Sequence, residues 1–170
     1  MQRSLRRDRS IYYSKKHELQ PFEDKTILEN FCKKANTSLF LFGSHSKKRP
    51  NNIVIGRMYD EKVLDMVEMG IKSITAINEF NESPDLAYHV RPFLIFQGDL
   101  WETDETFKKM RNLLNDFFFE NDKMEGIEID HILKVVVSFT ILEDRTILMK
   151  TYECKVEGKD ILEDDGKLTI

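Results

Sequence analysis

The sequence lacks any run of about 18 apolar residues, the length that a membrane-spanning helix needs. Its basic N-terminus is not followed by the apolar stretch of a secretory signal, so we expect the protein to stay in the reducing interior of the cell. The two cysteines, Cys32 and Cys154, lie far apart without metal-ligand spacing, which favours free thiols. Glycine and proline are scarce, with 7 and 4 of 170 residues, which excludes collagen-like chains.

What the sequence does have is material for one core and an uneven distribution of charge. Hydrophobic residues make up 41% of the 170 and aromatic residues 11%, which is typical of one domain with a tail or two small halves that share a core. Up to Asp60, thirteen Lys or Arg stand against six Asp or Glu, whereas the remainder has thirteen against 24. A basic first third on an acidic body predicts that one end contacts a polyanion.

The basic residues are densest in the first twenty positions, which have few apolar side chains. The cations there are Arg3, Arg6, Arg7, Arg9, Lys15 and Lys16. Because such a segment buries too little surface to offset the entropy of ordering it, we predict a basic N-terminal arm over residues 1–20. Pro21 closes the arm, and residues 21–170 form the folded domain.

The first half of that domain has the pattern of alternating strands and helices. Thr26 and Glu29 have the spacing of a capping box at a helix start, and Asp60 is positioned to cap a second helix that Gly70 ends. The pattern predicts helices over 26–36 and 60–70 and strands over 38–42, 52–59 and 71–77. We therefore expect a β-α-β order here.

In the second half, a strand over 92–98 precedes an amphipathic helix that Thr103 or Asp104 can cap. Its apolar face comprises Phe107, Met110, Leu113, Leu114, Phe117 and Phe118. Two β-rich runs over 131–140 and 146–156 predict an antiparallel hairpin, and 167–170 predicts a last strand. Phe119 falls outside the apolar face and is a candidate for contact with a partner protein. The fold class is α/β or α+β, with helices packed on a sheet.

The loop between the first two strands contains the most informative residues. Its cations and hydrogen-bonding groups are Ser44, His45, Lys47, Lys48, Arg49, Asn51 and Asn52, framed by Gly43 and Pro50. Such groups contact phosphate and sugar, which positions a protein on nucleic acid without reading sequence. The alternative is a solvated turn. Arg57 could extend this patch, and the alternative for Arg57 is a surface ion pair.

The same loop does not have the motifs of a catalytic site. A nucleoside-triphosphate loop requires a glycine directly before its lysine, and none precedes Lys47. No third group is placed to orient His45 as a base for the neighbouring serines. The four histidines have no metal-ligand spacing. The sequence therefore predicts neither an enzyme nor a cofactor or metal site.

Several of these segments together resemble the Brix-domain ribosome-assembly factors. The resemblance starts near Ile11 and is most specific in four motifs: PFED at 21–24, FGSHSKKRPNN at 42–52, IGRMYD at 55–60 and VLDM at 63–66. Beyond Gly70 it consists of the order of PFLIFQGD, the LLNDFF helix and the closing hairpin. Members of the family continue further into a basic tail, so we expect the C-terminal part of the Brix domain to be short or incomplete here.

The resemblance implies a domain of two similar halves, related to anticodon-binding domains of some tRNA synthetases. It implies a non-enzymatic role in the nucleus and nucleolus, as heterodimer partner of the regulator of ribosome synthesis, bringing 5S rRNA with proteins uL18 and uL5 to the large-subunit precursor. The expected RNA-binding residues are Arg3, Arg6, Arg7, Lys15, Lys16, Ser44, His45, Lys47, Lys48, Arg49, Asn51, Asn52 and Arg57. The alternative function is a protein–protein scaffold in a nucleolar complex with little direct RNA binding.

Overall fold

A computed structural model of the chain describes residues 10–15, 17, 19–75, 79, 92–118 and 135–154. In order, its elements are α1 (Thr26–Ala35), β1 (Leu39–Ser44), β2 (Asn52–Tyr59), β3 (Lys62–Gly70), β4 (Phe93–Gln97), α2 (Leu100–Thr103), α3 (Glu105–Phe118), β5 (Val135–Ile141) and β6 (Ile147–Glu153). They form two three-stranded sheets with helices packed on them, which confirms the mixed α and β class. The division into an arm over 1–20 and a domain over 21–170 stays a prediction.

The first sheet is an antiparallel meander in the order β1-β2-β3, so the predicted β-α-β order is wrong here. The predicted helix over 60–70 is strand β3. Asp60 and Glu61 both have positive φ, at 46° and 62°, and form a two-residue turn that brings Lys62 opposite Tyr59. A turn with two left-handed residues matches the twist of a hairpin and sends the chain back along β2. The predicted strand over 71–77 is also wrong, because 71–75 form no strand; 76–77 lie outside the described residues.

Strand β2 has buried side chains on both faces of the first sheet. On one face Val54 packs with Phe40 and with Leu28 and Cys32 of α1. On the other face Ile55 belongs to the core of the second half, together with α3 and β5. The two sheets are therefore joined by a shared apolar cluster.

Helix α1 begins where it was expected but not through the expected capping box. The backbone N–H of Thr26 donates to Asp24 Oδ1 at 2.8 Å, and Lys25, with no capping side-chain bond, occupies the N-cap. The Glu29 carboxylate instead accepts from Lys62 Nζ at 2.9 Å and from the Val63 backbone N–H at 3.2 Å. These bonds lower the pKa of Glu29 and tie α1 to β3. Asn36 ends the helix with φ 49°, as predicted.

The second half follows its prediction closely. β4 pairs in parallel with β5, and α2 and α3 lie between them in sequence, while β5 and β6 form the expected antiparallel hairpin. The six predicted apolar residues of α3 are all buried. Asp104 caps α3 by accepting from the Thr106 backbone N–H at 2.8 Å, as one of the two predicted candidates. The expected strand over 167–170 and the interpretation of Phe119 lie outside the described residues.

Polar contacts also connect the two halves. Lys72, just after β3, donates to Asp144 Oδ2 at 2.8 Å and to Thr146 Oγ1 at 2.5 Å in the β5–β6 turn. The bond from Lys72, supported by those from Thr146, holds the pKa of Asp144 well below its usual range. The end of the first sheet nearest Gly70 is therefore anchored to the second half.

Gly56 in β2 is the tightest backbone position in the first sheet. A Cβ placed there would lie 2.3 Å from the Phe40 ring and 2.8 Å from both the Asp65 carbonyl oxygen and the Met66 Cβ. Gly56→Ala should lower the free energy of unfolding by about 1–3 kcal/mol, because an added methyl group forces this packed region apart. Urea denaturation measures the change. Gly43→Ala is the matched control, since a Cβ at Gly43 meets nothing within 4 Å; equal effects of the two substitutions would contradict this packing.

Candidate nucleic-acid interface

The predicted basic loop is the tip of the β1–β2 hairpin, and hydrogen bonds close it at two levels. Ser46 N–H donates to the Arg49 carbonyl oxygen at 3.0 Å, and Arg49 N–H donates to Ser46 Oγ at 3.1 Å. One step below, the Nδ1 atom of His45 lies 3.2 Å from the Asn51 backbone N and 3.0 Å from Asn51 Oδ1. Neutral His45 therefore bonds Asn51 in either tautomer, as acceptor from the backbone or donor to the side chain.

Lys47 and Lys48 lie at the outer end of this closed turn. Both are exposed, and within the described part of the chain neither forms an ion pair with a carboxylate. The turn fixes their backbone while their ammonium groups stay in solvent. Two adjacent free cations on a fixed turn suit contact with a polyanion.

Arg49 is exposed but is already paired. Its Nη1 donates to Glu68 Oε2 on β3 at 2.5 Å. The second oxygen of Glu68 accepts from Asn52 Nδ2 at 3.3 Å. Asn52 itself is buried, and Ser44, opposite it in the register, is half-buried at the end of β1. These three predicted RNA contacts therefore lie in or against the sheet, whereas both lysines are exposed.

Arg57 forms the ion pair that the sequence left open as its alternative. Its Nε and Nη2 donate to the two Asp65 oxygens at 2.8 and 2.7 Å, and Nη1 donates to Asp116 of α3. The bonds to Asp65, followed by those to Asp116, raise the pKa of Arg57. A cleft beside it is lined by Arg57, Asn112, Asn115 and Asp116. Arg57 thus links β2, β3 and α3.

Part of the predicted arm lies within the described residues. Lys15 is exposed, while Arg3, Arg6, Arg7 and Lys16 lie outside the described residues. Near Lys15, the rings of Tyr13 and His17 contact Phe31 of α1, with centroids 5.0 and 4.8 Å apart. Helix α1 is bound to the β2–β3 turn, at the opposite end of the first sheet from the basic loop. Within the described residues, the structure therefore does not bring Lys15 and the loop together.

The acidic partners Asp65, Glu68 and Asp116 were missed by the sequence analysis. Reading 60–70 as a helix placed Asp65 and Glu68 on a helical surface, with no relation to Arg57 or Asn52. In the hairpin register Asp65 lies directly opposite Arg57, and Glu68 lies opposite Val54. The two-residue turn at Asp60 and Glu61 alone would align Arg57 with Leu64. The irregularity between Arg57 and Met58 shifts the register by one residue and brings Asp65 opposite Arg57, where opposite charges are favoured.

Metal-ligand clusters and membrane-spanning helices are absent from the described ranges. No group of three His, Cys, Asp or Glu side chains there could hold a metal ion. No helix in the described part of the chain is long and apolar enough to cross a membrane. Cys32 is buried and Cys154 is half-buried, and both are free thiols.

A family model and the curated relatives of this chain point to the same family. The family model of the Brix domain matches residues 2–168. The chain is 41% identical over 162 residues to the ribosome production factor 2 homolog of Mus musculus, covering 89% of this chain and 51% of the relative. The homolog of Schizosaccharomyces pombe is 30% identical over 161 residues, covering 94% and 50%. The chain spans about half the length of the curated relatives it matches.

Replacing the Arg57 side chain by alanine tests its ion pairs. Arg57→Ala should lower the free energy of unfolding by about 1–3 kcal/mol. The substitution removes the hydrogen-bond donor of the half-buried Asp65 carboxylate and the cation that Asp65 shares with Asp116. Denaturant unfolding measures this change. Lys33→Ala is the control and should cost under about 1 kcal/mol, since Lys33 and its partner Glu61 are both 58% exposed. A larger loss for Lys33→Ala than for Arg57→Ala would contradict the assignment.

Proposed function

The chain belongs to the Brix-domain family, among relatives named ribosome production factor 2, and from this premise we propose that it is a non-enzymatic assembly factor of the large ribosomal subunit that binds rRNA. The observation that carries RNA binding is the exposed pair Lys47 and Lys48 on a hydrogen-bonded turn. Ammonium groups contact phosphate oxygens as point charges and carry no base preference. Such a contact positions the protein on RNA.

The geometry supports a narrower set of phosphate contacts than the sequence indicated. We assign direct contact to Lys47 and Lys48, supported by the arm cations Arg3, Arg6, Arg7, Lys15 and Lys16. His45, Ser44 and Asn51 shape the hairpin, and Asn52 is buried beneath it. Arg49 and Arg57 serve the fold through their carboxylate partners. Because Lys15 lies between Tyr13 and His17, which contact α1 at the other end of the sheet, Lys15 and the loop would contact separate stretches of RNA backbone.

The finer role follows from the family alone. We propose that the protein forms a heterodimer with the regulator of ribosome synthesis and helps bring 5S rRNA, with uL18 and uL5, to the large-subunit precursor in the nucleolus. Crosslinking from the arm and from Lys47 or Lys48 to rRNA within purified pre-ribosomes tests this role. Crosslinks from both segments to rRNA would support it. Recovery of pre-ribosomes with crosslinks only to protein would contradict direct RNA contact.

A second candidate function is a scaffold held by a partner protein. The pairing of Arg49 and Arg57 with carboxylates favours it, because it halves the set of four cations predicted for the loop and Arg57. The sequence beyond Asp60 is acidic, which would suit a basic partner. Coexpression with the regulator of ribosome synthesis distinguishes the two functions. A soluble heterodimer that binds no 5S rRNA would favour the scaffold, and one that binds it would favour the RNA-binding factor.

The RNA contact of the loop has a measurable electrostatic signature. Each phosphate neutralised by a cation contributes about 0.7–0.9 to the slope of log affinity against log salt. Lys47→Ala combined with Lys48→Ala should therefore reduce the slope for a 5S rRNA transcript by about 1.4–1.8. Filter binding over a range of salt concentrations measures this slope.

The matched control for that prediction replaces another adjacent lysine pair. Lys108→Ala combined with Lys109→Ala removes the same charge from α3, where Lys108 is paired with Glu105 at 2.9 Å. This variant should keep the wild-type slope. Equal slopes for the two double variants would remove the loop from the RNA-binding surface.

A further inference from the structure

We infer that Glu68 is a positioning residue for the RNA-binding loop, which retains Arg49 within the protein so that the tip presents only Lys47 and Lys48 to phosphate. The inference rests on the proposed RNA binding and adds a residue on β3 that the sequence did not indicate. It also sets the number of phosphates that the loop can neutralise at two.

The contacts of Glu68 reach the tip and the base of the loop. One carboxylate oxygen holds Arg49 Nη1 at 2.5 Å at the tip, and the other holds Asn52 Nδ2 at 3.3 Å at the base. Arg49 is also the last residue of the turn that its hydrogen bonds with Ser46 close. A third attachment is the Ile71 N–H, which donates to the Asn51 carbonyl oxygen at 2.8 Å. The loop is thus held against β3 and the residue that follows it.

Local sequence supports this arrangement. Pro50 follows Arg49 and disfavours a helical backbone at Arg49, which keeps the chain extended as it leaves the turn. Asn51 has φ 51°, a left-handed conformation that asparagine tolerates better than most residues. The backbone on either side of Pro50 is therefore restricted. This restriction keeps Arg49 close to Glu68.

Burial explains why Arg49 should stay with Glu68 when RNA is present. The Glu68 side chain is 28% exposed, against 67% for Arg49. If Arg49 moved to a phosphate, Glu68 would remain half-buried next to the buried Asn52 without its cation, and a partly desolvated charge without its partner is costly. Lys47 and Lys48 have no such competing carboxylate among the described residues. They can bind phosphate without breaking a contact within the protein.

Three variants of the 170-residue chain test the inference by their salt slopes with a 5S rRNA transcript. Arg49→Ala should leave the slope unchanged, because Arg49 contributes no phosphate contact in the wild type. Glu68→Gln should increase the slope by about 0.7–0.9, because the weakened pair releases Arg49 to a third phosphate. Arg49→Ala combined with Glu68→Gln should return to the wild-type slope.

Glu61→Gln is the matched control, since Glu61 pairs with Lys33 at 2.5 Å at the other end of the same sheet. It removes the same charge and should leave the slope unchanged, which separates release of Arg49 from a general change in net charge. A slope reduced by about one phosphate in Arg49→Ala would overturn the inference, and so would an unchanged slope in Glu68→Gln. Failure of RNA binding by the loop is recognised separately, by an unchanged slope when Lys47 and Lys48 are both replaced.

Discussion

The burial of β2 on both of its faces is the constraint on which the rest of the structure depends. Val54 must face α1 and Ile55 must face the core around α3, so the register of β2 against both neighbours is fixed. A shift by one residue would exchange the two apolar faces. This register brings Asp65 opposite Arg57 and places Glu68 where it can reach Arg49 and Asn52. The charge pattern of the loop is therefore a consequence of core packing.

The parts of the fold that the sequence predicted well have long or repeated apolar patterns. Helix α3 has six buried positions over 14 residues, and β5 and β6 form two β-rich runs around a short turn. The segment 60–70 is shorter, and Val63, Leu64 and Val67 fit one face of a helix as well as positions in a strand. Tertiary pairing with β2 decides between them, and Leu64 then falls at an irregularity in the register and is exposed.

The candidate site was predictable in its position but not in its composition. Consecutive cations between two apolar strands indicate an exposed basic hairpin tip, which is what the structure has. Whether each cation is free depends on carboxylates distant in sequence, such as Glu68, 19 residues after Arg49, and Asp116, 59 residues after Arg57. These pairs arise only when strand register and helix placement are known. Sequence alone therefore cannot show that Arg49 and Arg57 are paired with carboxylates.

Side-chain chemistry fits the pairing of Arg57 within the fold and the exposure of Lys47 and Lys48. The planar guanidinium matches the two oxygens of a carboxylate, as in the pairing of Arg57 with Asp65, and arginine is favoured where an ion pair is partly buried. The compact ammonium of lysine is more strongly hydrated and loses more on such burial. In this chain Arg49 and Arg57 form ion pairs with carboxylates of β3 and α3, while Lys47 and Lys48 remain in solvent. Under the proposed function, a contact made by two hydrated point charges would attract RNA without reading its sequence, so specificity for one rRNA site would have to come from RNA shape and from other surfaces of the assembly.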